Sequence, residues 1–188
     1  MYLSFIKPLL DRFCAIFLLL AMAIPMLLIA IAVKITSKGP VFFKQTRVGI
    51  HQKPFEILKF RTMVLEAPHD VPTHALNEPE KWMTPIGVWL RRSSLDELPQ
   101  LLNIVKGDMS FVGPRPGLPN QEDLITLREQ YGANDMKPGL TGWAQINGRN
   151  HIEVSEKARL DGEYVHRVSF SMDLRCILGT CKTIIKDP

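Results

Sequence analysis

The stretch Arg91-Arg92-Ser93-Ser94-Leu95-Asp96-Glu97-Leu98-Pro99-Gln100-Leu101-Leu102 sets two adjacent guanidiniums just ahead of two adjacent carboxylates, and an apolar run begins directly after. Beside such cations a pair of carboxylates can handle a phosphate and a divalent metal. Ser94 and Glu97 stand at capping-box spacing, which predicts a helix starting here. Acids in a first turn also simply complement the helix dipole. Taken alone, the stretch supports that plainer reading.

Three other stretches carry charge in unusual company. If the run from Phe55 to Phe60 is a strand, alternation places Phe55, Ile57, Lys59 and Arg61 on one face, so two cations continue an apolar row. That row suits an edge strand reaching water and equally a strand facing an anion. Arg115 lies between Pro114 and Pro116, and the paired prolines either aim its guanidinium at a phosphate or stiffen a solvated loop. From Lys137 to Asn150 the chain holds three glycines and three amide side chains, with Arg149 among them. Glycine at that density lets backbone amides approach a ligand, although no phosphate-loop fingerprint is matched.

These side chains need a scaffold, and 188 residues suffice for one domain with a proper core. Hydrophobic content of 46% and charged content of 22% exclude disorder. The fold class expected is α+β and helix-rich. A turn at Ser37-Lys38-Gly39-Pro40 leads into a hairpin formed by the runs at Val41-Phe42-Phe43 and Phe55 to Phe60. Residues 66–85 read as a proline-rich surface loop with one helical turn before Trp82; its His69 and His74 lack ligand spacing. Asp123 to Tyr131 reads as an outer helix. In Met172 to Lys186, Leu174, Ile177, Leu178, Cys181, Ile184 and Ile185 form a helical stripe opposite Arg175, Lys182 and Lys186. That stripe serves either core packing or a cationic helix lying in a membrane interface.

Phe13 to Val33 contains no charge, and its 21 residues would make a helix about 32 Å long against a bilayer core of about 30 Å. Both flanks are basic, with Lys7 and Arg12 before and Lys34, Lys38, Lys44 and Arg47 after, and Pro25 interrupts the middle. A spanning helix shows a Lys/Arg bias toward one end. A helix-break-helix centred on Ile24-Pro25 that enters one leaflet and returns satisfies both flanks, while a single span is the alternative. The run is too long for a signal peptide and no cleavage site follows it. The expected division is an anchor over residues 1–36 and a cytoplasmic domain over 37–188. Cys14, Cys176 and Cys181 show no metal or disulfide spacing and fit a reducing compartment. The net charge of +4 suits anionic lipid or phosphate-bearing substrates; nucleic acid would explain the sign but not the apolar N-terminus.

Leu95-Asp96-Glu97-Leu98-Pro99-Gln100, Gly107-Asp108-Met109-Ser110-Phe111-Val112-Gly113-Pro114-Arg115-Pro116 and Pro138-Gly139-Leu140-Thr141-Gly142-Trp143 are accompanied by Lys59-Phe60-Arg61-Thr62-Met63 and Ser169-Phe170-Ser171-Met172-Asp173-Leu174. In this combination and order the chain resembles the bacterial sugar transferases, small monotopic polyprenyl-phosphate glycosyl-1-phosphate transferases. The resemblance covers essentially the whole chain. It implies attack by an aspartate on the sugar-bearing phosphate of a nucleotide-sugar, usually a UDP-sugar. UMP is released, and the phosphosugar then passes to a membrane polyprenyl phosphate. By the match Asp96 is the nucleophile and Glu97 its partner, with Mg²⁺ at these two acids and Asp173 as a further acid. Lys59, Arg91 and Arg115 would offset the diphosphate charge, with Arg61, Arg92 and Arg149 as secondary candidates. The implied place is the cytoplasmic face of a bacterial inner membrane, with no nucleic-acid partner; homo-oligomerisation is left open. One departure is that family members break the re-entrant helix at Ser-Pro, whereas this chain has Ile24-Pro25 and lacks the hydroxyl that would satisfy a freed carbonyl. The competing class is a non-catalytic, membrane-anchored module that binds anions or a partner. Such a module has no use for two acids among its cations.

Overall fold

The computed structural model describes residues 1–68, 71, 76, 78–148 and 152–186, with side chains up to residue 183. A π-helical turn at Tyr2–Ile6 runs into α1 (Lys7–Ala21), and α2 (Ala23–Thr36) follows after a bend of 64°. The break lies at Met22, not at the predicted Ile24-Pro25. Proline explains the offset. Its ring collides with the carbonyl four residues earlier and it offers that carbonyl no N–H, so Pro25 ends the helix at Ala21 and sits in the first turn of α2. No single described helix is long and apolar enough to cross a membrane.

The expected hairpin is present as β1 (Phe42–Val48) and β2 (Pro54–Phe60), antiparallel, with Phe42 opposite Phe60 and Val48 opposite Pro54. α3 (Pro85–Arg92) opens with Pro85 at its first position and Thr84 Oγ1 accepting from Gly87 N–H at 3.0 Å. The capping box predicted at Ser94 does not form. Ser94 has φ 58°, outside the extended range an N-cap needs, and its side chain caps nothing. Leu95–Glu97 make a single 3₁₀ turn, with Leu98 N–H donating to Leu95 O at 3.3 Å. A helix continuing from there would need an N–H at Pro99, so α4 starts only at Gln100 and runs to Lys106.

Beyond α4 come β3 (Ser110–Val112), α5 (Glu122–Gln130), β4 (Gly139–Thr141), α6 (Trp143–Gly148), α7 (Val154–Arg167) and α8 (Phe170–Lys186). β3 and β4 pair in parallel, Ser110 with Gly139 and Val112 with Thr141. The glycines serve this pairing. A β-carbon on Gly139 would lie 2.2 Å from Gly113 N, and one on Gly142 would lie 2.1 Å from Gly113 O. The glycine density read as room for a ligand is thus, at these positions, room for the chain's own backbone.

Three apolar clusters hold the elements together. Ala15 of α1 packs with Ile57, Leu101, Ile104 and Met109; Ile29 and Val33 of α2 pack with Phe60 and Leu90. Val112, Met136, Tyr164, Met172 and Cys176 form the third. Each large side chain fully buried here contributes about 1.5–3 kcal/mol. α8 buries Met172, Asp173 and Cys176, while Phe170, Leu174, Ile177 and Leu178 are exposed. Leu174, Ile177, Leu178 and Cys181 of the foreseen stripe therefore point outward, in the same way as Phe13, Phe17, Leu20, Ile24, Leu27 and Leu28 of the first two helices, while the Ile184 and Ile185 side chains lie outside the described ones.

Candidate active site

Asp96 and Glu97 sit on the 3₁₀ turn between α3 and α4, and both elements are fixed to β2. Asn103 of α4 accepts from Leu58 N–H at 3.1 Å and donates to Glu56 O at 2.7 Å, locking the strand beside the turn. Lys59, next along that strand, donates to Glu97 Oε1 at 2.6 Å, and Arg115 Nη2 donates to the same oxygen at 2.7 Å. Burial pushes the Glu97 carboxyl upward, but Arg115 and Lys59 outweigh it and hold Glu97 well below the usual carboxylate range. Asp96 is 7% exposed. Burial raises its carboxyl above the ordinary value; Lys59, Arg91 and Arg115 oppose the rise and Glu97 adds to it. Neighbouring carboxylates are thus driven apart, one fixed as an anion between two cations and one desolvated.

Arg91 leaves α3 toward this pair. Its Nε donates to Thr62 Oγ1 at 2.9 Å and its Nη2 reaches Met63 Sδ at 3.4 Å, while Asp96 and Glu97 both act on its charge. Lys59, Arg91 and Arg115, widely separated in sequence, therefore converge on the acids. Arg61 does not join them. It is buried, and its Nε, Nη1 and Nη2 donate to the carbonyls of Pro40, Lys38 and Ser37 at 2.6, 2.7 and 3.0 Å. The guanidinium foreseen at a phosphate instead ties the exit of α2 to the hairpin. Arg92 is exposed, and Arg149 lies outside the described residues.

Asp173 has a different neighbourhood from the one foreseen. Lys7 Nζ donates to its Oδ2 at 2.6 Å, Tyr2 OH to the same oxygen at 2.7 Å, and Tyr164 OH to its Oδ1 at 2.6 Å. Among the described residues no three His, Cys, Asp or Glu side chains converge, and both Asp173 oxygens are engaged by Lys7, Tyr2 and Tyr164. The two remaining carboxylates still fit Mg²⁺. That ion is usually held by one or two protein carboxylates, with waters and substrate phosphate oxygens completing its shell.

Several residues that shape the site escaped the sequence reading. Arg47 of β1 donates from Nη1 to Pro116 O at 3.2 Å, bracing the Arg115 loop. Arg128 of α5 and Asp161 of α7 form a buried pair at 2.6 Å. Neither shows in spacing, because each partner lies on an element distant in sequence. α7 could have been found from Val154 with Ala158 and Leu160 with Tyr164, pairs whose four-residue interval suits a helix.

Comparison with known proteins places this geometry in context. A family model described as bacterial sugar transferase matches residues 2–187. The chain is 44% identical over 180 residues to "Uncharacterized sugar transferase EpsL" of Bacillus subtilis (strain 168), covering 96% of this chain and 87% of that protein. It is 42% identical over 178 residues to the UDP-glucose:undecaprenyl-phosphate glucose-1-phosphate transferase of Escherichia coli (strain K12), covering 90% of this chain but 38% of that one. A protein of the same name from Caulobacter vibrioides is 40% identical over 187 residues, covering 95% of this chain and 69% of that one.

Proposed function

The chain belongs to the bacterial sugar transferases, and from that premise we propose that it transfers a sugar-1-phosphate from a UDP-sugar to undecaprenyl phosphate or a similar polyprenyl phosphate. The observation that carries this reading is the convergence of Lys59, Arg91 and Arg115 on a desolvated Asp96 and an ionised Glu97. An Asp96 carboxylate oxygen attacks the sugar-bearing phosphorus, and the bond from that phosphorus to the bridging oxygen breaks as UMP leaves with the electron pair. A phosphate oxygen of the polyprenyl acceptor then attacks the same phosphorus. The bond to Asp96 breaks and the carboxylate returns. Dividing the transfer in this way replaces one difficult displacement with two easier ones.

Each residue has a role consistent with its environment. Desolvation leaves the Asp96 anion poorly stabilised by water and therefore reactive, while the cations favour that anion and draw in the phosphate. Glu97 aligns Lys59 and Arg115 through one oxygen. Asp96 and Glu97 would hold Mg²⁺; when bound, the ion neutralises phosphate charge. The reading extends to place: a monotopic enzyme whose bent α1–α2 pair enters the membrane from the cytoplasmic face of the inner membrane. It is supported by the 64° bend, the exposed apolar faces and the basic flanks.

The test is UMP release from a panel of UDP-sugars by detergent-solubilised protein with Mg²⁺, with and without undecaprenyl phosphate. Lipid-dependent release that disappears in Asp96→Asn is expected. Release undiminished in Asp96→Asn would overturn the mechanism.

A further inference from the structure

Around the loop from Pro114 to Leu118 positive charge accumulates beyond what the catalytic acids use. Arg47 reaches Pro116 O from β1, Arg115 belongs to the loop, and Arg128 Nη1 approaches Gly117, 3.8 Å from where a β-carbon would stand. Lys157 lies on α7 one helical turn before Asp161, the partner of Arg128. Arg115 has Glu97 and Arg128 has Asp161. Among the described residues, Arg47 and Lys157 meet no carboxylate at ion-pair distance; Arg47 Nη2 has only the amide oxygen of Gln45, at 2.5 Å, and its Nε is buried without an acceptor. Two unneutralised cations are thus held half-buried beside two others, at a Coulombic cost that a polyanion would relieve.

We propose that Arg47 and Lys157 form a second phosphate subsite, which holds the donor phosphate that leaves as the nucleoside monophosphate. The inference rests on the transferase reading. A diphosphate donor brings two phosphates, of which Asp96 attacks one; the other needs counter-charge that Lys59, Arg91 and Glu97-bound Arg115 do not supply. The environment of Lys157 suits the task. Burial first, then Arg128, Arg115 and Arg47, lower its ammonium to about 8 against the raising effect of Asp161. Burial and Arg115 likewise lower Arg47 to about 10, against Glu97. An incoming phosphate would stabilise both charged forms and raise both values again.

The experiment uses the full chain in detergent and measures UMP affinity by calorimetry, together with KM for the UDP-sugar and KM for undecaprenyl phosphate. Lys157→Met is expected to weaken UMP binding and raise the donor KM about tenfold, the scale of one lost charge-assisted hydrogen bond, and to leave the acceptor KM within about twofold. Arg47→Met should do the same, and Lys157→Arg should restore affinity. Wild-type UMP affinity should fall from about pH 7 to about pH 9 as Lys157 loses its proton, while Lys157→Arg stays flat. Unchanged UMP affinity in a folded Lys157→Met overturns the assignment. So does a rise confined to the acceptor KM, which would give the subsite to the lipid phosphate. UMP binding that depends on Lys157 supports the subsite even where no donor turns over, so this inference and the transferase reading fail separately.

Discussion

The buried Asp96 carboxyl sits in a place that disfavours its anion. Its carboxyl value is raised by burial, so it is higher folded than unfolded. At pH below the ordinary carboxylate range both states are protonated and no penalty exists. As pH rises the unfolded chain ionises first, so stability falls, and the full penalty stands above the folded value. Asp96→Asn should therefore melt a few degrees higher than the parent at neutral pH, since about 1 kcal/mol moves Tm by roughly 2–4 °C in a chain of this size. The gain should shrink toward about pH 4. Thermal scans across that range decide the matter, and an equal or lower neutral Tm would show that the aspartate is not held at a cost. The residue scale was also the most legible in sequence. Lys59, Arg91 and Arg115 each stood out as a cation for which an anion partner was one of two readings, and the family resemblance chose between them. Arg61 stood out for the same reason and went to backbone carbonyls instead. Spacing shows that a buried guanidinium needs acceptors but not whose acceptors they are.

At the scale of elements, the hairpin, α5 and α8 could be anticipated because their signals are local: alternation, turn residues and helical period. The start of α4 could not, since a capping-box pattern competed with Pro99 and the left-handed Ser94 backbone prevailed. A short extended run between the turns at Gly107 and Pro114 anticipated β3, but β4 and its pairing with β3 were invisible for a different reason. Pairing between three-residue strands separated by α5 has no local signature, and their glycines resemble a phosphate loop until the backbone contact is seen. Asp173 shows what element packing does to a residue's role, since Lys7 and Tyr2 from the N-terminus and Tyr164 from α7 consume its oxygens. Asp173→Asn would leave the buried Lys7 ammonium only Asp11, 3.9 Å away, as counter-charge, a loss of about 3 kcal/mol. Tm should fall by roughly 10 °C. Lys7→Met with Asp173→Leu should recover part of that loss, because the Lys7–Asp173 pair is removed together while Asp11 keeps its hydrogen bond from Ser110. The Mg²⁺ concentration giving half-maximal UMP release should match the parent in the double variant; a shift would return Asp173 to the metal.

For the whole molecule, the question is on which side of a bilayer each end of the bent helix pair lies. Apolar length and basic flanks in the sequence left both a re-entrant loop and a single span open. Contacts across the fold weigh between them. Lys7 and Tyr2 bond to Asp173 of α8, and Ser110 Oγ donates to Asp11 at 2.7 Å, so the start of α1 is tied to the body that carries Asp96 and Glu97. The end of α2 is tied to that body as well, through Arg61. A spanning arrangement would set these ends about 30 Å apart across the hydrocarbon and sever one set of contacts. Leaving a buried ion pair broken is the more costly course. In a background with Cys14→Ser, Cys176→Ala and Cys181→Ser, single variants Leu3→Cys and Lys38→Cys report the two ends to a membrane-impermeant maleimide. Both should resist labelling in intact spheroplasts and react once the inner membrane is opened. Labelling of Leu3→Cys alone in intact spheroplasts would establish a span, and with it a catalytic body that has let go of its own N-terminus.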